Sequence, residues 1–325
     1  MPDRPVLDPD DLLDEEVAGF LKVLDESFPP VATMSGADAR AATKARQVPP
    51  TNLDDVRSAE DVRVPVDGGT IGARVYRPHG PDDVRRPLVV YLHGGGFVFC
   101  DLESHDGFCR QLAREVDAVV VSVDYRLAPE HRAPTAAEDA YAALLWASER
   151  HAELGTDPTR VLVAGDSAGG ALAAVVALMA RDRKGPALAG QALLGPVIDP
   201  AGDTPSYDAY AEGWFNTRAT MEWYWEQYLG PGRPLPEPPE LVAPARAASH
   251  AGLPPAVVVV TGADPLADEG ERYADRLARA GVPVRTRIHP TLFHGLLTFM
   301  TLRAGASARE LLYADLRALL NQEDR

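Results

Sequence analysis

The sequence predicts a doubly wound α/β protein, a mostly parallel sheet with helices on both faces. Three observations carry that prediction. Four apolar runs, Leu88–Leu92, Ala118–Val123, Val161–Ala164 and Val257–Val260, suit strands buried on both sides. Helical patterns alternate with them, at about 103–116, 134–151, 168–183, 268–280 and 306–321. Between the third run and its helix stands Gly165-Asp166-Ser167-Ala168-Gly169, an order of strand, sharp turn and small-residue helix.

Taken in order, residues 1–50 precede any strand. Leu12, Leu13, Val17, Phe20, Leu21 and Leu24 recur on one helical face, acidic residues fill the first turns, and Pro29-Pro30 ends the pattern. Ser35 to Arg46 reads as a second, shorter helix. From Val62 the period changes to two: Val62, Val64 and Val66, a turn at Asp67-Gly68-Gly69, then Ile71, Ala73 and Val75. That is an antiparallel hairpin, expected at a sheet edge. The helix–strand rhythm breaks once, between Val197 and Pro255, where an aromatic cluster and a proline run, Pro231–Pro239, stand in place of a helix. Such an insertion suits a lid whose rings line a pocket, with Trp214 and Phe215 as candidate lining residues. The last strand is expected over Val282–His289.

Composition narrows the function classes. With 325 residues, 46% of them hydrophobic, the chain can bury a large core. A formal charge of −16 repels nucleic acid and anionic membranes. Two cysteines, Cys100 and Cys109, make neither a disulfide framework nor a closed zinc site. The opening Met-Pro-Asp-Arg carries no apolar signal segment, and no apolar stretch approaches about 18 residues. The expectation is a soluble, cytoplasmic protein.

The chemistry gathers around Ser167. A serine nucleophile needs a base, a carboxylate to orient that base, and N–H donors for an oxyanion. In an open α/β sheet each is expected at the C-terminal end of a strand. His93-Gly94-Gly95-Gly96-Phe97 follows the first buried run, and its glycines let the backbone aim N–H groups at a small anion. His93 itself suits loop anchoring. Asp264 lies just past the run Val257–Val260 and is the better orienting carboxylate, since Asp268 and Glu269 are accounted for as first-turn acids of a helix. His294, in a loop backed by Gly295, is the candidate base, and His289 belongs to the strand.

With these motifs in place the chain resembles the hormone-sensitive-lipase-like esterases, the bacterial family IV carboxylesterases of the α/β-hydrolase fold. The resemblance covers about residues 60–325 and rests on His93–Phe97, Asp101-Leu-Glu-Ser-His-Asp106, Asp124-Tyr-Arg-Leu-Ala-Pro-Glu130, Gly165–Gly170, Asp264–Gly270 and Phe293-His-Gly295. The Gly-Asp-Ser-Ala-Gly form points to the subgroup named for that motif. The resemblance implies a sheet of about eight strands with a helical cap. The cap would comprise residues 1–50 and 198–245, the core residues 51–197 and 246–325. It implies Ser167 as nucleophile, Asp264 as acid, His294 as base, and the N–H groups of Gly95, Gly96 and Ala168 as the oxyanion hole, supported by His93 and Gly94. No cofactor and no metal are expected, and the partner is a small-molecule ester of short or medium acyl chain. Pairing through the last strand would give a homodimer, although Arg285 and Arg287 suit equally a monomer protecting its edge. The chain departs from the family at Phe99-Cys100 and His131-Arg-Ala-Pro134, which puts Cys100, with Phe97, near the pocket wall. A lactonase, amidase or deacetylase on the same residues, or a receptor without catalysis, are the alternatives.

Overall fold

The computed structural model describes residues 12–81, 83–232 and 235–321. The first eleven residues of the expected 1–50 segment, and Arg233 and Pro234 in the proline run, lie outside the described residues. One sheet contains β1 (Ser58–Val66), β2 (Gly69–Arg77), β3 (Arg86–Leu92), β4 (Val119–Asp124), β5 (Thr156–Asp166), β6 (Gly190–Leu194), β7 (Ala256–Ala263) and β8 (Val284–Phe293). Their order is β1-β2-β4-β3-β5-β6-β7-β8. The expected hairpin β1–β2 forms one edge and joins β4 antiparallel, whereas β4, β3 and β5 to β8 run parallel.

β3, β6 and β7 are buried along their whole length, which is why the β3 and β7 runs carry no polar face. Successive side chains point to opposite sides. Leu88, Val90, Leu92, Val163 and Val258 therefore enter one core, and Val89, Tyr91, Leu162 and Val257 the other. The first core is closed by α4 (Thr135–Ser148), α6 (Ala168–Asp182) and α9 (Ala267–Arg279). The second is closed by α3 (Asp106–Val116), α10 (Ala304–Leu320) and α1 (Glu15–Ser27). A four-residue α5 (His151–Leu154) leads into β5.

The helix positions follow the sequence pattern to within three residues at each end. α1 starts where Asp14 accepts the Val17 N–H, and it stops before Pro29-Pro30. α2 (Gly36–Lys44) is capped in the same way by Ser35.

Two strands differ from expectation. β6 is five residues long and holds Gln191, so its apolar signal is too short to register. β8 continues past His289 to Phe293, where an irregular pairing brings Phe293 opposite Ala263; His294 stands, with Gly295, in the turn that follows the strand directly.

The insertion forms α7 (Pro205–Ala209) and α8 (Arg218–Leu229) and meets the N-terminal helices above the C-terminal strand ends. The Trp223 indole N–H donates to Met34 O, and the Phe215 N–H donates to Asp25. Arg40 of α2 donates to the carbonyls of Val98 and Ala128, and Gln47 to Asp101. Among the described residues no helix is long and apolar enough to cross a membrane.

Arg285 and Arg287 of β8 both donate to Asp315 of α10, a carboxylate only 1% exposed. Burial alone would raise the Asp315 carboxyl, but the two guanidinium groups outweigh it and hold it below the ordinary range. Its stabilisation is therefore present above the unfolded value of about 3.9 and is lost as pH falls through the lower folded value. Asp315→Asn is expected to lower stability by about 1–2 kcal/mol at pH 7 in urea titration, with the gap from wild type closing in acid below that range.

Candidate active site

Ser167 occupies the single residue between β5 and α6. Its φ of 54° and ψ of −118° lie outside the ordinary regions for a side-chain-bearing residue. Three backbone bonds hold it there: its N–H donates to Leu194 O, and its own carbonyl accepts from the N–H groups of Ala171 and Val197. The turn also demands close packing. A Cβ on Gly169 would lie 1.9 Å from Leu92 O, so only glycine lets α6 approach β3 this closely. α6 is buried from Ala168 to Ala180, and its run of small side chains lets it lie flat on the sheet.

β7 and β8 bring the other two groups. His294 Nε2 is 2.9 Å from Ser167 Oγ, and His294 Nδ1 is 2.6 Å from Asp264 Oδ2. With a hydrogen on Nδ1 facing the carboxylate, Nε2 is left to accept from the serine hydroxyl. Asp264, 1% exposed, also accepts from the Thr261 hydroxyl and the Leu266 N–H. Burial pulls the His294 imidazole down, but the charge and hydrogen bond of Asp264, with a further contribution from Asp166, raise it above its ordinary 6.5.

The loop after β3 supplies donors. Gly95 and Gly96 have positive φ, as do Phe97 and Cys100. The Gly95 carbonyl turns back to accept from the N–H groups of Val98 and Phe99. Among the described residues, no protein acceptor is taken by the N–H groups of Gly95, Gly96 and Ala168. His93 anchors the loop: its ring stacks on Tyr125 at 4.4 Å, its Nδ1 donates to Gly94 O, and its carbonyl accepts from the Tyr125 hydroxyl.

The insertion clasps this loop. A Cβ on Gly96 would sit 2.1 Å from a ring carbon of Tyr224. Phe97 stacks on Tyr228 at 4.0 Å, and Phe99 meets Tyr224 edge-on.

Phe97, Cys100, Trp214 and Phe215, expected at the substrate pocket, are not among the residues of the cleft beside Ser167. The cleft beside Ser167 and His294 is small and is walled by Asp166, Leu194, Gly195, Thr261, Gly295, Leu297 and Thr298. Phe97 is buried against Tyr228, Trp214 is buried edge-on to Tyr210, and Phe215 lies among Phe28, Phe293 and Phe299. These rings pack elements together and do not wall that cleft. Cys100 is half-buried beside Gly95 and likewise not on that wall; burial pushes its thiol up to about 12. Leu194 and Gly195 were hidden with β6. Thr261 was marked in sequence only as the polar end of an all-valine run.

Asp268 and Glu269 do more than begin a helix. Both are buried, and they accept the N–H groups of Ser206 and Ile198, fastening the insertion to the acid turn.

Residues 89–298 match the model of a family described as having the α/β hydrolase fold. The chain belongs to that family. It is 43% identical over 295 residues to the carboxylic ester hydrolase LipN of Mycobacterium tuberculosis, which covers 89% of this chain and 76% of that protein. To an ethyl acetate hydrolase of Pseudomonas putida it is 36% identical over 233 residues, 71% of this chain and 73% of the other. The crystal structure of a thermostable esterase from Pseudomonas putida aligns with a TM-score of 0.88 at 35% identity, covering 96% of this chain and 98% of that one. This α/β-hydrolase is a carboxylic ester hydrolase of the hormone-sensitive-lipase-like type.

The geometry predicts how His294 titrates. Its raised value means that pairing with Asp264 stabilises the fold below about pH 6.5 and gives that up as pH rises through the folded value. In an NMR titration of the imidazole, His294 is expected to titrate above 6.5, and Asp264→Asn to move the midpoint down. An unchanged midpoint in the variant would contradict the assigned cause.

Proposed function

We propose that this ester hydrolase works through Ser167 as nucleophile, His294 as general base and acid, and Asp264 as the carboxylate that orients His294. The observation that carries the reading is the unbroken hydrogen-bonded line from Ser167 Oγ through both nitrogens of His294 to Asp264, at 2.9 and 2.6 Å. Ser167 Oγ attacks the ester carbonyl as its proton passes to His294 Nε2. The carbonyl oxygen becomes an oxyanion held by the N–H groups of Gly95, Gly96 and Ala168, none of which has a protein acceptor among the described residues. His294 returns the proton to the leaving alcohol, and the acyl group stays on Ser167. Water, deprotonated by His294, then attacks the acyl-enzyme; collapse releases the acid and restores the serine.

The likeness to an ethyl acetate hydrolase supports short- to medium-chain acyl esters as substrates. The N-terminal helices and the insertion act as a cap over the site. A charge of −16 argues against nucleic acid as a partner. The open edge of β8, where Ile288 is half exposed, is the surface for pairing with a second copy. Two unpaired cysteines fit a reducing, cytoplasmic setting.

Ser167→Ala is expected to lower turnover of p-nitrophenyl acetate by roughly 10⁴- to 10⁶-fold and to abolish labelling by an organophosphonate. Near wild-type hydrolysis in that variant would sink the assignment. A series of acetyl, butyryl and octanoyl esters with a matched amide measures the substrate range, with the acetyl and butyryl esters expected to lead. Because the base must be unprotonated, kcat/KM should fall in acid with an apparent pKa above 6.5.

A further inference from the structure

One buried polar cluster beneath the site has no part in the steps above. The Asp166 carboxylate, 6% exposed, accepts hydrogen bonds on Oδ1 from the Tyr91 hydroxyl at 2.6 Å and from the Gly94 N–H at 2.9 Å. His105 Nε2 stands 3.3 Å from Oδ1 and 3.4 Å from Oδ2. The other face of His105 is fixed as well: Nδ1 is 2.8 Å from Ser104 Oγ, and that hydroxyl spends its only hydrogen on Asp101 O at 2.7 Å. Ser104 can therefore only accept from Nδ1. Both ring nitrogens of His105 then face oxygen atoms, which fixes the ring between Ser104 and Asp166. This gives a role to the stretch Asp101–Asp106, which stood out in the sequence without one.

The placement matters because Asp166 precedes Ser167 and Ala168, whereas Gly94 precedes Gly95 and Gly96. The oxyanion donors come from two different strand ends, and they act only when their separation is fixed to a few tenths of an ångström. Gly94 has been left bare for the contact: a Cβ there would lie 2.3 Å from Asp166 Oδ2. We propose that Asp166 is a positioning residue for ester hydrolysis, its carboxylate clamping the oxyanion loop at Gly94 to the serine turn, with His105 and Tyr91 holding the carboxylate in place. Burial raises the Asp166 carboxyl, yet His105, Tyr91 and His93 outweigh burial and leave it below the ordinary range, which keeps it a hydrogen-bond acceptor.

The inference rests on the serine reading, and its test separates the two. Asp166→Ala, Asp166→Asn, His105→Gln and Ser167→Ala are compared by kcat and KM on p-nitrophenyl acetate, by the affinity of a trifluoromethyl ketone that adds to the serine as a hemiketal oxyanion, and by Tm. Asp166→Ala is expected to lower kcat about 100-fold and to weaken the ketone by the same factor, with KM within about threefold. Asp166→Asn should recover at least about tenfold of that loss, since its amide oxygen still accepts from Gly94 and Tyr91. His105→Gln should fall between.

Unchanged kcat and ketone affinity in Asp166→Ala would overturn the clamp, as would a kcat loss with ketone affinity retained or an Asn variant no better than Ala. If Asp166→Ala does not fold, His105→Gln and Tyr91→Phe decide: parallel losses of kcat and ketone affinity support the clamp, and wild-type values refute it. Activity surviving in Ser167→Ala would remove the serine reading itself. An inactive Ser167→Ala beside normal Asp166 variants would remove only the clamp.

Discussion

Three strand ends must stay in register for one hydrogen-bonded line to exist. Ser167 follows β5, Asp264 follows β7 and His294 follows β8, and a 2.6 Å and a 2.9 Å contact join them. Hydrogen bonds of that length tolerate little displacement, so the line depends on the sheet holding its strands in place. The fully buried strands β3, β6 and β7, packed on both faces, supply that rigidity. Asp264 then fixes the hydrogen-bonding state of His294: its charge and hydrogen bond hold the imidazole's Nδ1–H inward, so that Nε2 faces the serine.

Around that line the chain adds a clasp from above. α8 lays Tyr224 on Gly96 and stacks Tyr228 on Phe97, while α2 ties Arg40 to the carbonyls of Val98 and Ala128. Asp268 and Glu269 pin the start of the same insertion to the acid turn. The loop after β3, whose backbone takes positive φ at four residues, is thus held by neighbours on several sides. A backbone so far from its relaxed conformations persists only where surrounding packing over-determines it.

Much of this was legible in the sequence, for physical reasons that also explain what was not. Strands buried on both faces leave unbroken apolar runs, so β3, β4, β5 and β7 declared themselves, as did the alternating edge hairpin. The elbow was legible because its close approach admits only glycine at 169. The residues Ser167, Asp264 and His294 were named from chain order and position, and the structure brings them within hydrogen-bonding distance. β6 escaped because five residues with a buried glutamine leave no period to read. The cleft wall escaped with it, since Leu194 ends that strand and Gly195 follows it. The aromatic insertion was legible only in part: Trp214 and Phe215 pack against other rings, and sequence does not say whether a buried ring meets a ligand or other rings. The cluster of Tyr91, His105 and Asp166 was invisible for a similar reason, because it joins residues from three elements that no spacing rule connects.

The most direct measurement of the central claim is mass spectrometry of the enzyme quenched in acid during turnover of p-nitrophenyl acetate. The account predicts a chain heavier by one acetyl group, with the acetyl on the peptide containing Ser167 and decaying at the rate of turnover. Hydrolysis proceeding with no acetylated chain, or with the acetyl on a peptide lacking Ser167, would contradict it.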